Sequence, residues 1–96
     1  MGTTQYTIYT ISEDKSGEYW IFASYDDDHN CNLYCDNQRN IVHGWLNSRT
    51  TGETQSKLPA TDVPTDLSET VKATFELPVV KNALQNNKYY NYREAR

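Results

Sequence analysis

The stretch EYWIFASYDDDHNCNLYC, residues 18–35, decides the fold class. Residues 18–25 are rich in aromatic side chains, which favour strands. The polar run DDDHN, residues 26–30, predicts a turn. CNLYC, residues 31–35, then alternates Cys31, Leu33 and Cys35 with polar or amphipathic neighbours, which is the pattern of a half-buried strand. Two strands joined by a short polar turn predict antiparallel β-structure.

The same pattern extends in both directions. Residues 4–12, TQYTIYTIS, predict a strand with two useful faces, and the polar residues 13–17 predict the turn that joins it to the next strand. On the other side, residues 36–40 predict a third turn and residues 41–46, IVHGWL, a fourth strand. Residues 4–46 are therefore predicted to form an antiparallel meander.

The second half of the chain has a different composition. Residues 47–66 are dominated by Ser, Thr, Gly, Pro and charged residues, which predicts a long mobile loop anchored by Leu58 and Val63. Residues 68–78 fit a strand at more positions than a helix, although Leu67, Val71 and Phe75 would share one helix face. Pro78 suits a first helical position, and the apolar spacing after it predicts a helix toward residue 94.

These elements predict an α+β fold in a single domain, residues 1–96: an antiparallel sheet of four to five strands with one C-terminal helix across one face. A small all-β sandwich or barrel is the alternative. In either fold we expect Trp20, Phe22 and Trp45 to belong to the core.

Four residues have the atom types that zinc prefers, namely His29, Cys31, Cys35 and His43. If residues 31–35 form a strand, the two cysteines lie on one side but about 13 Å apart, too far to share one ion. Buried, reduced thiols are the simpler interpretation. The acidic run 26–28 lacks the ligand spacing of a calcium loop. We therefore expect no cofactor, and keep a metal or small-ligand module at residues 26–43 as an alternative.

Catalytic signatures are absent from the sequence. Cys35 with His43, or Cys31 with His29, could form a nucleophile and base, but nothing in the sequence pairs them. The glycines are isolated, so no phosphate-binding loop is predicted. We expect a protein that is not an enzyme.

Charge and aromatic content point to a binding surface. Residues 1–36 carry seven acidic side chains and one lysine, whereas residues 37–96 carry eight basic and six acidic ones. An acidic surface steers a protein toward a basic partner. Tyrosine with arginine is typical of interface hot spots. The predicted partner-binding residues are Asp26, Asp27, Asp28, Tyr89, Tyr90, Tyr92 and Arg93.

The sequence thus predicts a small protein-binding domain, of the size and composition common among inhibitors and among accessory proteins of phages or mobile elements. A homodimer is a further hypothesis, and so is single-stranded nucleic-acid binding through the C-terminal helix, although the net charge of −4 disfavours nucleic acid. The absence of a signal-like or membrane-spanning apolar stretch predicts a cytoplasmic protein without membrane contact.

Overall fold

Six antiparallel strands form one sheet, and two helices pack on one of its faces. The computed structural model describes residues 5–93. The strands are β1 (Ile8–Glu13), β2 (Tyr19–Ser24), β3 (His29–Cys35), β4 (Ile41–Ser48), β5 (Thr54–Pro59) and β6 (Tyr89–Asn91), and the helices are α1 (Thr65–Phe75) and α2 (Pro78–Asn87), preceded by a 3₁₀ turn at Ala60–Asp62. The sheet order is β5-β4-β3-β2-β1-β6. The predicted α+β class and antiparallel sheet are confirmed, with one more strand and one more helix than expected.

The β1–β2 turn and the β3–β4 turn have the same hydrogen-bond pattern. Asp14 Oδ1 accepts hydrogen bonds from the N–H groups of Ser16 (2.9 Å) and Glu18 (3.0 Å), and Asp36 Oδ1 accepts them from Gln38 (2.9 Å) and Asn40 (3.0 Å). The fourth residue of each turn has a positive φ, 81° at Gly17 and 69° at Arg39. These side-chain bonds add to the backbone hydrogen bonds of each turn, such as Asp14 N–H to the Glu18 carbonyl oxygen (2.8 Å) and Asp36 N–H to the Asn40 carbonyl oxygen (2.9 Å).

The core lies between the sheet and the helices. Ile11, Ile21 and Leu33 occupy directly paired positions on neighbouring strands and are at most 1 % exposed. At the next position across, Gly44 faces Leu33, and a Cβ there would approach Leu33 Cδ2 to 2.7 Å and the Asn32 carbonyl oxygen to 2.5 Å. Glycine is required at this position because the neighbouring strand lies too close for a side chain.

The strand predicted for residues 68–78 is wrong: residues 68–75 belong to α1, Glu76 and Leu77 form a turn, and Pro78 begins α2. In α1 the buried side chains are Leu67, Val71 and Phe75, spaced four residues apart. Their spacing of four residues places them on one face of a strand as well as of a helix, so the sequence pattern does not distinguish the two structures. In α1 all three side chains belong to the core, and burying each of them contributes about 1.5–3 kcal/mol, although valine, threonine and phenylalanine prefer strands.

The C-terminal helix begins at Pro78 as predicted but ends at Asn87. Lys88 adopts a left-handed conformation (φ 58°), and the chain continues as β6 along the edge of β1. The Lys88 carbonyl oxygen accepts a hydrogen bond from Glu13 N–H (2.9 Å), and the Lys88 Nζ lies 3.2 Å from Glu13 Oε2. The predicted helix to residue 94 is wrong over residues 88–93, because β6 pairs with β1 and buries Tyr90 to 7 % exposure. Residues 94–96 lie outside the described part of the chain.

The predicted mobile loop, residues 47–66, is also wrong in part. The end of β4, all of β5 and the 3₁₀ turn fall within it. Leu58 is buried in the core and Val63 packs against it, so both predicted anchors are confirmed. Strand β5 was missed because four of its six residues, Thr54–Lys57, have no apolar alternation and are exposed.

No helix in residues 5–93 has the length and apolar character needed to cross a membrane.

Candidate functional site

The face of the sheet opposite the helices, which we call the open face, carries four contacting rings. Trp20, Tyr34 and His43 occupy paired positions on β2, β3 and β4, and Trp45 lies two residues beyond His43. Ring centroids are 4.9 Å apart for Trp20–Tyr34, 5.4 Å for Tyr34–His43, 4.7 Å for His43–Trp45 and 5.8 Å for Trp20–Trp45. We call this group the aromatic quartet. Each ring touches two others, so the quartet is a continuous aromatic surface.

The quartet remains accessible. Trp20 is 39 % exposed, and the other three rings are partly exposed. The expectation that Trp20, Phe22 and Trp45 belong to the core is therefore wrong. Core positions along β2 are taken by Tyr19, Ile21 and Ala23, and the pleat turns Trp20 and Phe22 to the other side.

Carboxylates border the quartet at one end of the sheet. The Tyr34 hydroxyl donates a hydrogen bond to the Glu18 carboxylate, and this bond, with some desolvation and the nearby charges of Glu18, Asp14 and Asp36, raises the pKa of Tyr34 to about 12. All three acidic residues belong to the β1–β2 and β3–β4 turns, which lie at the same end of an antiparallel meander. We call this the acidic end of the open face.

The run Asp26–Asp28 lies at the opposite end, in the β2–β3 turn. It therefore does not merge with Asp14, Glu18 and Asp36 into one acidic patch. Asp26 Oδ1 lies 2.8 Å from His29 Nδ1, and His29 Nε2 lies 2.8 Å from Gln55 Oε1. Both ring nitrogens thus face oxygen acceptors, and the hydrogen bonds to Asp26 and Gln55 raise the pKa of His29.

The predicted zinc candidates do not converge. Cys31 and Cys35 are buried on the core face of β3, His43 lies on the open face of β4, and His29 lies in a turn contact with Asp26. Within residues 5–93, no three His, Cys, Asp or Glu side chains form a group that could hold a metal ion.

The same arrangement separates both cysteines from His43, and the ring nitrogens of His29 lie against Asp26 and Gln55, with no contact to Cys31 among the hydrogen bonds of residues 5–93. The Cys31 thiol lies 3.8 Å from the Ser24 carbonyl oxygen, on the side of the sheet away from His43. Burial raises the pKa of Cys31 and of Cys35 to about 12, so neither thiol ionises near neutral pH.

The predicted tyrosine surface is divided by the strand that replaces the helix. Tyr89 is 40 % exposed and pairs with Ser12, whereas Tyr90 points into the core opposite Ile11. Tyr92 and Arg93 follow β6, and the Tyr92 N–H donates to the Tyr9 carbonyl oxygen (2.8 Å). A single helix face that displays all three tyrosines with Arg93 is not formed.

A groove of about 480 Å³ crosses the open face at the end opposite the acidic end. We call it the Arg49–Arg93 groove; its lining residues are Tyr9, Thr10, Phe22, Asn30, Arg49, Asn91 and Arg93. The rings of Tyr9 and Phe22 lie 5.4 Å apart. A register irregularity between Ile8 and Thr10 places two consecutive residues of β1 along the groove.

Hydrogen bonds hold both arginines of the groove, Arg49 through its backbone and its side chain and Arg93 through its backbone. Arg49 donates its N–H to the Asp28 carbonyl oxygen (2.9 Å) and its Nε to the His29 carbonyl oxygen (3.2 Å). Arg93 donates its N–H to Asn91 Oδ1 (2.9 Å). Among residues 5–93, neither guanidinium forms an ion pair.

Sequence reasoning missed both the quartet and the groove. The signal for the quartet was present: Trp20 and Phe22 alternate with Ile21 and Ala23, so one set had to face away from the core. The groove had no signal, because it joins residues from five strands or their ends.

Comparisons with protein-family models, with curated proteins and with solved structures find no match to this chain.

Proposed function

We propose that the protein is a non-enzymatic binding domain, of inhibitor or accessory type, that uses the open face to bind a basic surface of another protein. The observation that carries the proposal is the aromatic quartet, bordered by Asp14, Glu18 and Asp36. Exposed tryptophan and tyrosine rings supply large contact area at low entropic cost, which is why they dominate interface hot spots.

Charge supports a basic partner. A lysine or arginine side chain over the ring of Trp20 or Tyr34 would gain a cation–π contact and, a few ångströms further, a carboxylate from the acidic end. The chain as a whole carries a net charge of −4, so long-range attraction acts in the same direction.

Buried thiols support a role without covalent catalysis. With pKa values of about 12, Cys31 and Cys35 are poor nucleophiles, and the sheet separates them from His43. The chemistry exposed on the open face is that of contact and hydrogen bonding.

A peptide-display selection with the purified protein as bait tests the proposal. We expect enrichment of sequences in which arginine or lysine stands beside an apolar residue. Synthetic versions should change the tryptophan fluorescence, bind more weakly as salt is raised, and lose about tenfold or more in affinity with Trp20→Ala. Adding Glu18→Gln to Trp20→Ala should lower the affinity of these peptides further.

Leu77→Ala is the matched control, because Leu77 is 46 % exposed but lies at the junction of the two helices. Peptides without basic residues, or peptides that bind Trp20→Ala as well as the wild type, would contradict the proposal. If oligonucleotides bind the quartet and no basic peptide does, the partner is a single-stranded nucleic acid and not a protein.

A further inference from the structure

The Arg49–Arg93 groove differs from the other large cavity in the state of its charges. The second cavity, about 440 Å³ beside α2, contains Glu13 with Lys88, Glu76 with Lys81, and Arg39, whose guanidinium lies over the rings of Tyr19 and Phe75. The two Glu–Lys pairs have separations of 3.2 and 3.3 Å. In the groove the two guanidinium groups have no carboxylate partner within residues 5–93. Unpaired arginines that line a concavity favour an anionic ligand.

The groove is larger than a simple anion and has aromatic walls. Its walls include the rings of Tyr9 and Phe22, and its volume of about 480 Å³ is much larger than a phosphate ion. Arg49 follows β4 and Arg93 follows β6, and these strands are four spacings apart, about 19 Å between backbones. A ligand that fills this space has a flat body beside the rings and an anionic group at an arginine.

Asn30 supplies a second indication that the groove binds a ligand. Its side chain lines the groove, and its Oδ1 is buried without a hydrogen-bond donor among the described residues. An unsatisfied buried acceptor is destabilising, and each one in a folded protein calls for an explanation such as a functional role. Rotation of this amide upon binding would give the oxygen a donor from the ligand.

We propose that the Arg49–Arg93 groove is a nucleotide-binding site, in which the base stacks against Tyr9 or Phe22 and the phosphate is held by one of the two arginines. Aromatic rings stack on any nucleobase, and guanidinium groups bind phosphate oxygens in pairs. The nucleotide is either a free mononucleotide or part of a single strand, and the two share this chemistry. The site is separate from the aromatic quartet and does not depend on the proposed protein partner.

Titration calorimetry and amide NMR with adenosine 5′-monophosphate test the site. We expect binding that shifts the backbone resonances of residues 9, 10 and 22 and the side-chain amide of Asn30. Adenosine alone and inorganic phosphate alone should each bind about tenfold or more weakly, because each lacks half of the contacts. The double variant Arg49→Gln/Arg93→Gln should lose about tenfold or more in affinity.

The matched control is Lys72→Gln/Lys81→Gln, which removes the same charge from exposed positions on the helices. It should bind the nucleotide as the wild type does. Unchanged amide dispersion in the arginine double variant shows that a loss of binding is not a loss of fold.

Three results would overturn the proposal: phosphate binding as tightly as the nucleotide, adenosine binding as tightly as the nucleotide, or equal affinity of the arginine variant and the lysine control. The source of the ligand is decided with a short single-stranded oligonucleotide. Affinity above that of the mononucleotide, lost in the same arginine variant, assigns the groove to a strand; equal affinity assigns it to the free nucleotide.

Discussion

Trp20 and Trp45 stack on each other although the whole of strand β3 lies between their strands. Their ring centroids are 5.8 Å apart and their planes differ by 20°. Trp45 pairs with Asn32 on β3, and Trp20 pairs with the neighbouring Tyr34, so both indoles reach diagonally across β3. The aromatic quartet therefore depends on the order of the strands.

Removing either tryptophan should lower stability, and the two losses should not be additive. Aromatic pairs contribute about 0.5–1.5 kcal/mol beyond the area that they bury. A double-mutant cycle of Trp20→Ala and Trp45→Ala, measured by urea unfolding, is expected to give a coupling energy in this range. Each single variant should also abolish the exciton signal of the indole pair in circular dichroism.

Leu77→Ala combined with Trp45→Ala provides the comparison cycle, because these residues lie on opposite sides of the sheet. Distant sites are additive within about 0.3–0.5 kcal/mol. A coupling energy of zero for the tryptophan pair would contradict the stacked arrangement.

Arg39 should be more sensitive to alanine than to glycine. Its φ of 69° disfavours residues with a side chain, and its guanidinium lies over the rings of Phe75 (5.1 Å) and Tyr19 (5.8 Å). Arg39→Ala loses the cation–π contacts and keeps the backbone strain, for a loss of about 1–2 kcal/mol. Arg39→Gly loses the same contacts but relieves the strain, so we expect its midpoint of chemical unfolding to be the higher of the two.

Gly17 occupies the equivalent position of the first turn, and substituting it tests the contribution of backbone strain without any change in cation–π contacts. A Cβ there would meet nothing within 4 Å, so Gly17→Ala introduces the strain of φ 81° alone. If Gly17→Ala is neutral, the strain argument for Arg39 is wrong.

His29 should titrate above its ordinary value, since hydrogen bonds to Asp26 and Gln55 raise its pKa from 6.5. Desolvation raises the pKa of the Asp26 carboxyl. The hydrogen bonds from His29 and from backbone N–H groups outweigh this effect and lower the pKa of Asp26 from 3.8. A raised histidine pKa gives stability that is complete below pH 6.5 and is lost as the pH rises through the folded value.

The Asp26 contribution has the opposite sense: it is present above pH 3.8 and is lost as the pH falls through the lowered value. The pair is therefore most stabilising between these limits. An NMR titration of the His29 ring should show its pKa return toward 6.5 in Asp26→Asn. Asp27→Asn, in the same turn, is the control, and an equal effect of both variants would exclude the specific contact.

Stability should decline above pH 9 because of the two core thiols. Burial raises the pKa of Cys31 and Cys35 from 9.0 to about 12. Their protonated forms stabilise the fold fully below pH 9, and this contribution is lost as the pH rises toward 12, because the unfolded chain ionises first. Urea unfolding as a function of pH measures the decline.

The double variant Cys31→Ala/Cys35→Ala should reduce the decline between pH 9 and 10, below the range in which Tyr25, Tyr34 and Tyr90, whose pKa values are also raised from 10.0, contribute. In the wild type, a thiol reagent at pH 8 should react only as fast as the protein opens. Rapid reaction of either thiol under native conditions would show that the core face of β3 is accessible, contrary to the structure.

The sequence predicted those parts of the fold in which local pattern and burial agree. Residues 18–46 were assigned to strands and turns because their alternation matches the pleat. The error at residues 68–78 arose because Val71, Phe75 and their neighbours satisfy the strand period and the helix period at once. Strand β5 has neither period, since most of its residues face solvent.

By itself the sequence determined the antiparallel meander, the burial of Cys31, Leu33 and Cys35, and the start of the last helix at Pro78, because each rests on the periodicity or backbone geometry of adjacent residues. Only the tertiary structure decided which face the helices cover. That choice leaves Trp20 and Trp45 accessible, directs Tyr90 inward through β6, and brings Arg49 and Arg93 to one groove. The physical reason is that a strand has two faces of similar composition here, and the side that becomes the core depends on which one the apolar stripes of α1 and α2 contact.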